Sequence, residues 1–180
     1  MAAPLAGCCR FGGRGEPMPI DRRELERLIP SLRRYARGVM GDRSNADDMV
    51  QECLLRALDR ERQFRGENLP GWVFAILVNT CRSRMRSQKR QPPVGDLAEV
   101  PGTADADPAM RIALSGALAG LPEEQRQPLL LTSVEGFSYR ETAEILDIPI
   151  GTVMSRIARA RTALAERLDG APVIPIRRIK

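Results

Sequence analysis

The chain is 180 residues long, enough for one or two small domains, and its 28 Lys and Arg against 23 Asp and Glu leave a formal net charge of +5. That balance suits a polyanionic partner. The lack of any histidine excludes histidine-based catalysis and histidine metal sites, and no apolar run approaches membrane-spanning length, which excludes membrane insertion.

Residues 1–19, "MAAPLAGCCRFGGRGEPMP", form a leader without the charged start and long apolar block of an export signal. Gly12, Gly13 and Gly15 argue for disorder there, and Met18 stands beside Met1 as an alternative start. Asp21 with Glu24 has the spacing of a capping box, and Leu25, Leu28, Ile29, Leu32, Tyr35, Ala36, Val39 and Met40 follow at helical steps. Pro30 is expected to kink or restart this first helix.

Ser44 with Asp47 offers the next helix start, and Ala46, Met49, Val50, Cys53, Leu54, Ala57 and Leu58 mark its buried side. The opposite face carries Asp48, Gln51, Glu52 and Leu55. A leucine amid acids and amides, with Asp48 and Glu52 one turn apart, reads either as an ordinary exposed leucine or as an apolar anchor rimmed by charge for a basic partner helix. A loop, "DRERQFRGEN", leads to Pro70, suited to the first turn of a third helix. That helix opens apolar on nearly every side ("WVFAILV") and ends in "RSRMRSQKR", which holds five basic residues and no acid.

From Gln91 to Ala109 the chain carries four acids, four prolines, two glycines and no basic residue, and reads as a flexible acidic linker. Four further helices follow, and no segment alternates as a strand would. The expected fold is therefore all-α: two small helical domains, residues 20–90 and 109–170, joined by residues 91–108, with a tail over 171–180 that has no reading.

In "SYRETAEILDIPIGTVMSRIARAR", Ser138 and Glu141 cap one helix, Ala143 is small where a second would cross, and Ile148 and Pro149 close the turn. Val153, Ile157, Ala160 and Leu164 make the buried stripe of the second helix. Thr152, Ser155, Arg156 and Arg159 gather on another face, with Arg161 to one side. Short hydrogen-bonding residues and arginines at the start of such a helix are what a DNA major groove requires. Which of them touch bases and which touch phosphates stays open at this level.

Four segments in order, "SNADDMVQECLLRAL", "LPGWVFAILVNTCRSRMRSQKR", "LAGLPEEQRQPLLL" and "FSYRETAEILDIPIGTVMSRIARARTAL", resemble bacterial RNA polymerase sigma factors of the extracytoplasmic-function group across residues 21–168. "FRGENLPGWVFAILVN" is also similar to the general-stress sigma factors of alphaproteobacteria. The resemblance implies a promoter-melting domain followed by a helix-turn-helix domain. It implies that Asp48, Gln51, Glu52 and Leu55 dock on the clamp helices of the largest polymerase subunit, with the flap as a further polymerase contact. It implies that the loop 59–69, including Phe64, captures a flipped base of the minus-ten element, and that Asn79, Arg82, Arg84 and Arg86, with Lys89 and Arg90, line the melted strand. The helix from Gly151 would read the minus-thirty-five element with Thr152, Ser155, Arg156, Arg159 and Arg161. Trp72 is open to base stacking or core packing. An anti-sigma factor is an implied partner.

Pro128 departs from the pattern: it falls well inside the helix after Pro122 and is expected to bend that helix or delay its start. The cysteines, Cys8, Cys9, Cys53 and Cys81, include no C-x-x-C pair. Cys53 and Cys81 lie in apolar helical patterns and read as buried thiols, in keeping with a reducing cytoplasm. No metal, cofactor or catalytic constellation is expected, so the chain is not read as an enzyme. Two other readings stand: a stand-alone helix-turn-helix regulator, and a sigma-like decoy that titrates an anti-sigma protein.

Overall fold

A computed structural model describes residues 18–65, 68–88 and 108–168. Among them there are seven α-helices and no strand: α1 (Arg22–Met40), α2 (Arg43–Asp59), α3 (Leu69–Gln88), α4 (Pro108–Ala119), α5 (Glu123–Ser133), α6 (Tyr139–Leu146) and α7 (Ile150–Leu168). A short 3-10 turn, Glu61–Gln63, follows α2. The leader before Met18, most of the linker and the tail lie outside the described residues, as do Lys89 and Arg90.

Capping sets most of the boundaries. The Asp21 carboxylate accepts from the Arg23 amide at 2.9 Å and starts α1. α2 starts two residues earlier than expected: the cap is Asp42, not Ser44, and its carboxylate accepts from the amides of Ser44 and Asn45. Those bonds hold the Asp42 carboxyl below its usual range. Asn68 does the same for α3, accepting from Gly71 at 2.9 Å, so that Leu69 rather than Pro70 is its first residue.

Neither internal proline interrupts its helix. α1 runs through Pro30, which is exposed, so water can satisfy the Glu26 carbonyl that loses its amide partner. α5 begins at Glu123 and continues through a buried Pro128, and the Thr132 hydroxyl donates back to the Pro128 carbonyl at 2.9 Å.

The first two helices close around α3. Trp72, Val73, Ala75, Ile76, Leu77, Val78 and Cys81 are fully buried, with Leu32, Tyr35, Ala36 and Val39 from α1 and Val50, Cys53 and Ala57 from α2 around them. A helix apolar on every side is stable only when surrounded, and α1, α2 and α6 surround this one. Burial pushes the Cys81 thiol up to about 12, which keeps it protonated and unreactive. The last four helices have a smaller core of their own: Leu118, Leu121, Leu129, Ala143, Val153, Ile157 and Ala160.

The two halves also touch directly. Leu130, Leu131, Ile145 and Leu146 belong to the same buried cluster as α1 and α3. Phe137 meets Phe74 edge to face at a centroid distance of 4.9 Å. Gly38 allows the close approach: a Cβ there would lie 2.9 Å from Leu130 Cδ1. Arg34 of α1 bonds Glu135 in the turn before α6.

Candidate nucleic-acid interface

α6 and α7 form the helix-turn-helix. Its first helix starts with a complete capping box: the Glu141 amide donates to Ser138 Oγ at 3.2 Å, and the Ser138 amide donates to Glu141 Oε2 at 2.9 Å. The Ser138 hydroxyl also donates to Glu141 Oε2, at 2.7 Å, and this bond together with the one from the Ser138 amide holds the Glu141 carboxyl below its usual range. The chain reverses at Asp147, which adopts a left-handed φ of 54°. The Pro149 carbonyl then accepts from the amides of Thr152 and Val153 to begin α7.

Val153, Ile157 and Ala160 anchor α7 to the core, and the opposite side is open. Ser155 and Arg159 are exposed there and Arg161 is exposed to one side, whereas Thr152 is half-buried. Ser155 Oγ donates to the Thr152 carbonyl at 3.0 Å, and Arg159 donates to the Ser155 carbonyl at 3.3 Å. Bonds to the helix's own turns in open solvent are readily exchanged for bonds to DNA. Arg156 is different. It donates from Nη2 to Glu124 Oε2 of α5 at 2.7 Å, so it faces the supporting helix.

Sequence reasoning passed over Met154. It neighbours Ser155 and is 53 % exposed. It lies off the buried stripe of Val153, Ile157 and Ala160.

On α2, Asp48 and Gln51 are exposed and Leu55 is 64 % exposed. Glu52 is half-exposed and paired with Arg56, one turn on. The structure therefore brings the four residues onto one open surface. Asp47 is not part of it: its carboxylate turns to Arg33 at 3.5 Å and Arg37 at 3.8 Å, tying α2 to α1.

The residues expected at a melted strand divide. Arg84 and Arg86 are exposed, with Arg84 donating to Asn45 Oδ1 at 3.0 Å. Asn79 donates to the Ala75 carbonyl of its own helix at 2.9 Å. Arg82 is drawn into the contact between the halves, with Nε donating to Gln127 Oε1 at 3.0 Å and Nη1 to the Leu146 carbonyl at 3.2 Å. Burial pushes its guanidinium pKa down from the ordinary value.

The expectation for Phe64 needs correction. Its ring is 5 % exposed and lies 5.5 Å from the fully buried Trp72 ring, so both aromatic side chains serve the core and neither faces a strand. The main chain at this point instead fastens the start of the described chain: the Phe64 carbonyl accepts from Met18 at 3.2 Å, and Glu61 accepts from Ile20 at 2.9 Å. Among the described residues, no three Cys, Asp or Glu side chains gather as metal ligands, and no helix is long and apolar enough to cross a membrane.

Comparison with known proteins bears on both surfaces. Residues 111–164 match the family described as Sigma-70, region 4, and residues 25–78 match the Sigma2 domain of PhyR. The chain is 39 % identical over 165 residues to the ECF RNA polymerase sigma factor EcfG of Rhodopseudomonas palustris, covering 86 % of this chain and 91 % of that one. It is 34 % identical to the ECF RNA polymerase sigma factor SigM of Mycobacterium tuberculosis, covering 93 % and 94 %. Among solved structures, the sigma factor RpoE of Bartonella quintana, in complex with the anti-sigma factor NepR, superposes with a TM-score of 0.75 at 32 % identity, covering 84 % and 98 %.

Proposed function

The chain belongs to the extracytoplasmic-function sigma factors of RNA polymerase, and from that premise we propose how its residues divide the work. It binds core polymerase, recognises promoter DNA and promotes the melting that begins transcription. Residues 20–90 act as the melting domain and residues 109–170 as the upstream reader, with residues 91–108 as the connection between them; the two family matches fall inside these bounds.

The observation that carries the assignment is the pairing of two open surfaces on one chain. Leu55 is exposed on an acidic face of α2, while Ser155 and Arg159 are exposed on α7. Leu55, with Asp48, Gln51 and Glu52 around it, holds the polymerase clamp helices. An apolar anchor contributes affinity, and the charged rim fixes register on a basic partner. Ser155 and Arg159 read the upstream element, Arg161 reaches phosphate, and Thr152 steadies the first turn. Arg156 supports α7 through Glu124.

Arg84 and Arg86, with Asn79, follow the melted strand. Unstacking promoter bases costs a few kcal/mol each, which a cationic channel offsets in a salt-dependent manner. Arg82 joins them only when it leaves Gln127 and Leu146. Melting-competent binding therefore requires the two halves to part at this point. Phe64 belongs to the core of the first half, packed against Trp72.

The likeness of "FRGENLPGWVFAILVN" and the identity to EcfG favour a stress regulon, and the complex solved for the Bartonella quintana relative favours an anti-sigma protein as regulator. A cytoplasmic location follows from work on polymerase. The match to PhyR's Sigma2 domain also fits a sigma-like decoy, but a decoy has no use for Ser155 and Arg159 exposed on α7.

Transcription in vitro with core polymerase and genomic DNA tests the reading. The protein should direct initiation from discrete promoters. DNA binding without core recruitment would establish a stand-alone regulator instead, and recruitment of neither would leave the decoy.

A further inference from the structure

α7 exposes apolar side chains as well as polar ones. Met154 is 53 % exposed and Ile150, one turn earlier, is 48 % exposed. Ala158, one turn later, is exposed too. None of the three holds the helix down, because Val153, Ile157 and Ala160 do so from the other side. The outer face of α7 is thus asymmetric. Ser155 lies along its middle, Arg159 and the committed Arg156 lie to one side, and the strip Ile150, Met154, Ala158 lies to the other.

Building on the reading of α7 as the upstream reader, we propose that Met154 is a specificity-determining residue that recognises the C5-methyl group of thymine in the major groove. Met154 and Ser155 are consecutive and both open, so a groove that admits Ser155 also receives Met154. In the major groove, only thymine presents an apolar group; every other base edge offers donors or acceptors. A methionine laid over those edges would desolvate them without returning a hydrogen bond. Over a thymine methyl it loses nothing and removes apolar surface from water.

The side chain suits the task. It is unbranched, so it adapts to small displacements of the base, and its thioether accepts hydrogen bonds too weakly to compete for base edges. Ala158 leaves room for the helix to seat on this side, and Ile150 prolongs the strip towards the groove wall. Because Arg156 is held by Glu124, base discrimination falls to Ser155, Arg159 and Met154.

The test uses holoenzyme and a promoter fragment in which each thymine of the upstream element, on either strand, is replaced in turn by deoxyuridine. This removes the methyl group and leaves base pairing intact. Wild-type holoenzyme should lose affinity by about fourfold at one or two neighbouring positions, the size of one buried methyl group. Met154→Ala should bind the thymine promoter with that lower affinity and show no further loss on deoxyuridine. Met154→Leu should restore the sensitivity. Because Met154 is exposed, both variants keep the wild-type circular dichroism spectrum.

A flat scan on DNA that still depends on the upstream element, or a penalty that persists in Met154→Ala, overturns this inference and leaves the reading of α7 intact. Binding that ignores both the upstream element and Arg159→Ala overturns the reading of α7, and this inference with it.

Discussion

Arg34 in α1 grips Glu135 in the turn before α6 with two parallel bonds, Nε to Oε1 at 2.9 Å and Nη2 to Oε2 at 2.5 Å, across 101 residues of chain. The Glu135 side chain is only 2 % exposed, while that of Arg34 is 33 % exposed. The bond to Glu135 raises the Arg34 pKa. A bidentate pair with one buried partner gives both geometry and energy, which a surface ion pair does not.

Glu135→Ala should therefore lower stability by about 1.5–3 kcal/mol, the range for hydrogen bonds to charged groups, towards the lower end because water reaches Arg34. Thermal unfolding of Glu135→Ala, Arg34→Ala and the double variant measures the coupling. Additive single effects would show that the pair contributes nothing beyond its separate side chains.

Gly38 faces Leu130 across the same contact, and a Cβ there already lies 2.9 Å from a Leu130 methyl, so a larger residue must displace that side chain. Gly38→Leu should part the halves while keeping helix content. The radius of gyration should rise, and a single-stranded minus-ten oligonucleotide should bind more tightly because Arg82 is released from Gln127 and Leu146. Adding Arg82→Ala should abolish that gain. If the oligonucleotide binds Gly38→Leu and wild type alike, Arg82 does not link closure to strand binding.

Leu55→Ala should leave the melting temperature unchanged, since the side chain makes little of the core, and should weaken core polymerase binding. An anchor residue at an interface is worth about 2 kcal/mol, roughly thirtyfold in affinity. Equilibrium binding to core enzyme decides this, and unchanged affinity would falsify the docking assignment. Glu52→Lys should act in the same direction by reversing the rim charge, with a small stability cost from losing its pair with Arg56.

Arg159 and Arg156 separate reading from support. Arg159→Ala should cost about 1–3 kcal/mol on promoters with an intact upstream element, and far less when that element is scrambled. Arg156→Ala should lower thermal stability slightly through loss of Glu124, with a weaker and sequence-independent effect on DNA. Ser155→Ala should follow Arg159→Ala. Core binding should be unaffected in all three.

The capping box predicts a pH dependence. Hydrogen bonds from Ser138 hold the Glu141 carboxyl below its ordinary value, so the folded state binds this proton less readily than the unfolded chain. The stabilisation is present above the unfolded pKa and is lost as pH falls through the folded one. Glu141→Gln can still complete the box, so it should unfold less steeply than wild type over the acid range below the ordinary glutamate pKa. Parallel acid titrations by circular dichroism that superpose would remove Glu141 as a contributor.

Much of the molecule was legible in the chain order of its residues. The Ser138–Glu141 capping box, the buried stripe of Val153, Ile157 and Ala160, and the exposure of Leu55 are set by spacing within one or two helical turns, which sequence records directly. The Asp42 cap was missed because Ser44 with Asp47 imitates the same signal two residues later. Pro30 does not restart α1 and Pro128 does not delay the start of α5, because the cost of a missing amide depends on what surrounds the orphaned carbonyl.

What sequence alone determined is local: the seven helices of the described residues, the buried stripe of each amphipathic one, and the side chains left exposed on α2 and α7. Tertiary structure alone decided that Phe64 turns inward against Trp72, that Arg156 serves Glu124, and that Arg34 and Arg82 join the two halves. Those outcomes depend on partners tens of residues away. Burial and hydrogen bonding reward a side chain for where the folded chain brings its partners, and helical periodicity carries no information at that range.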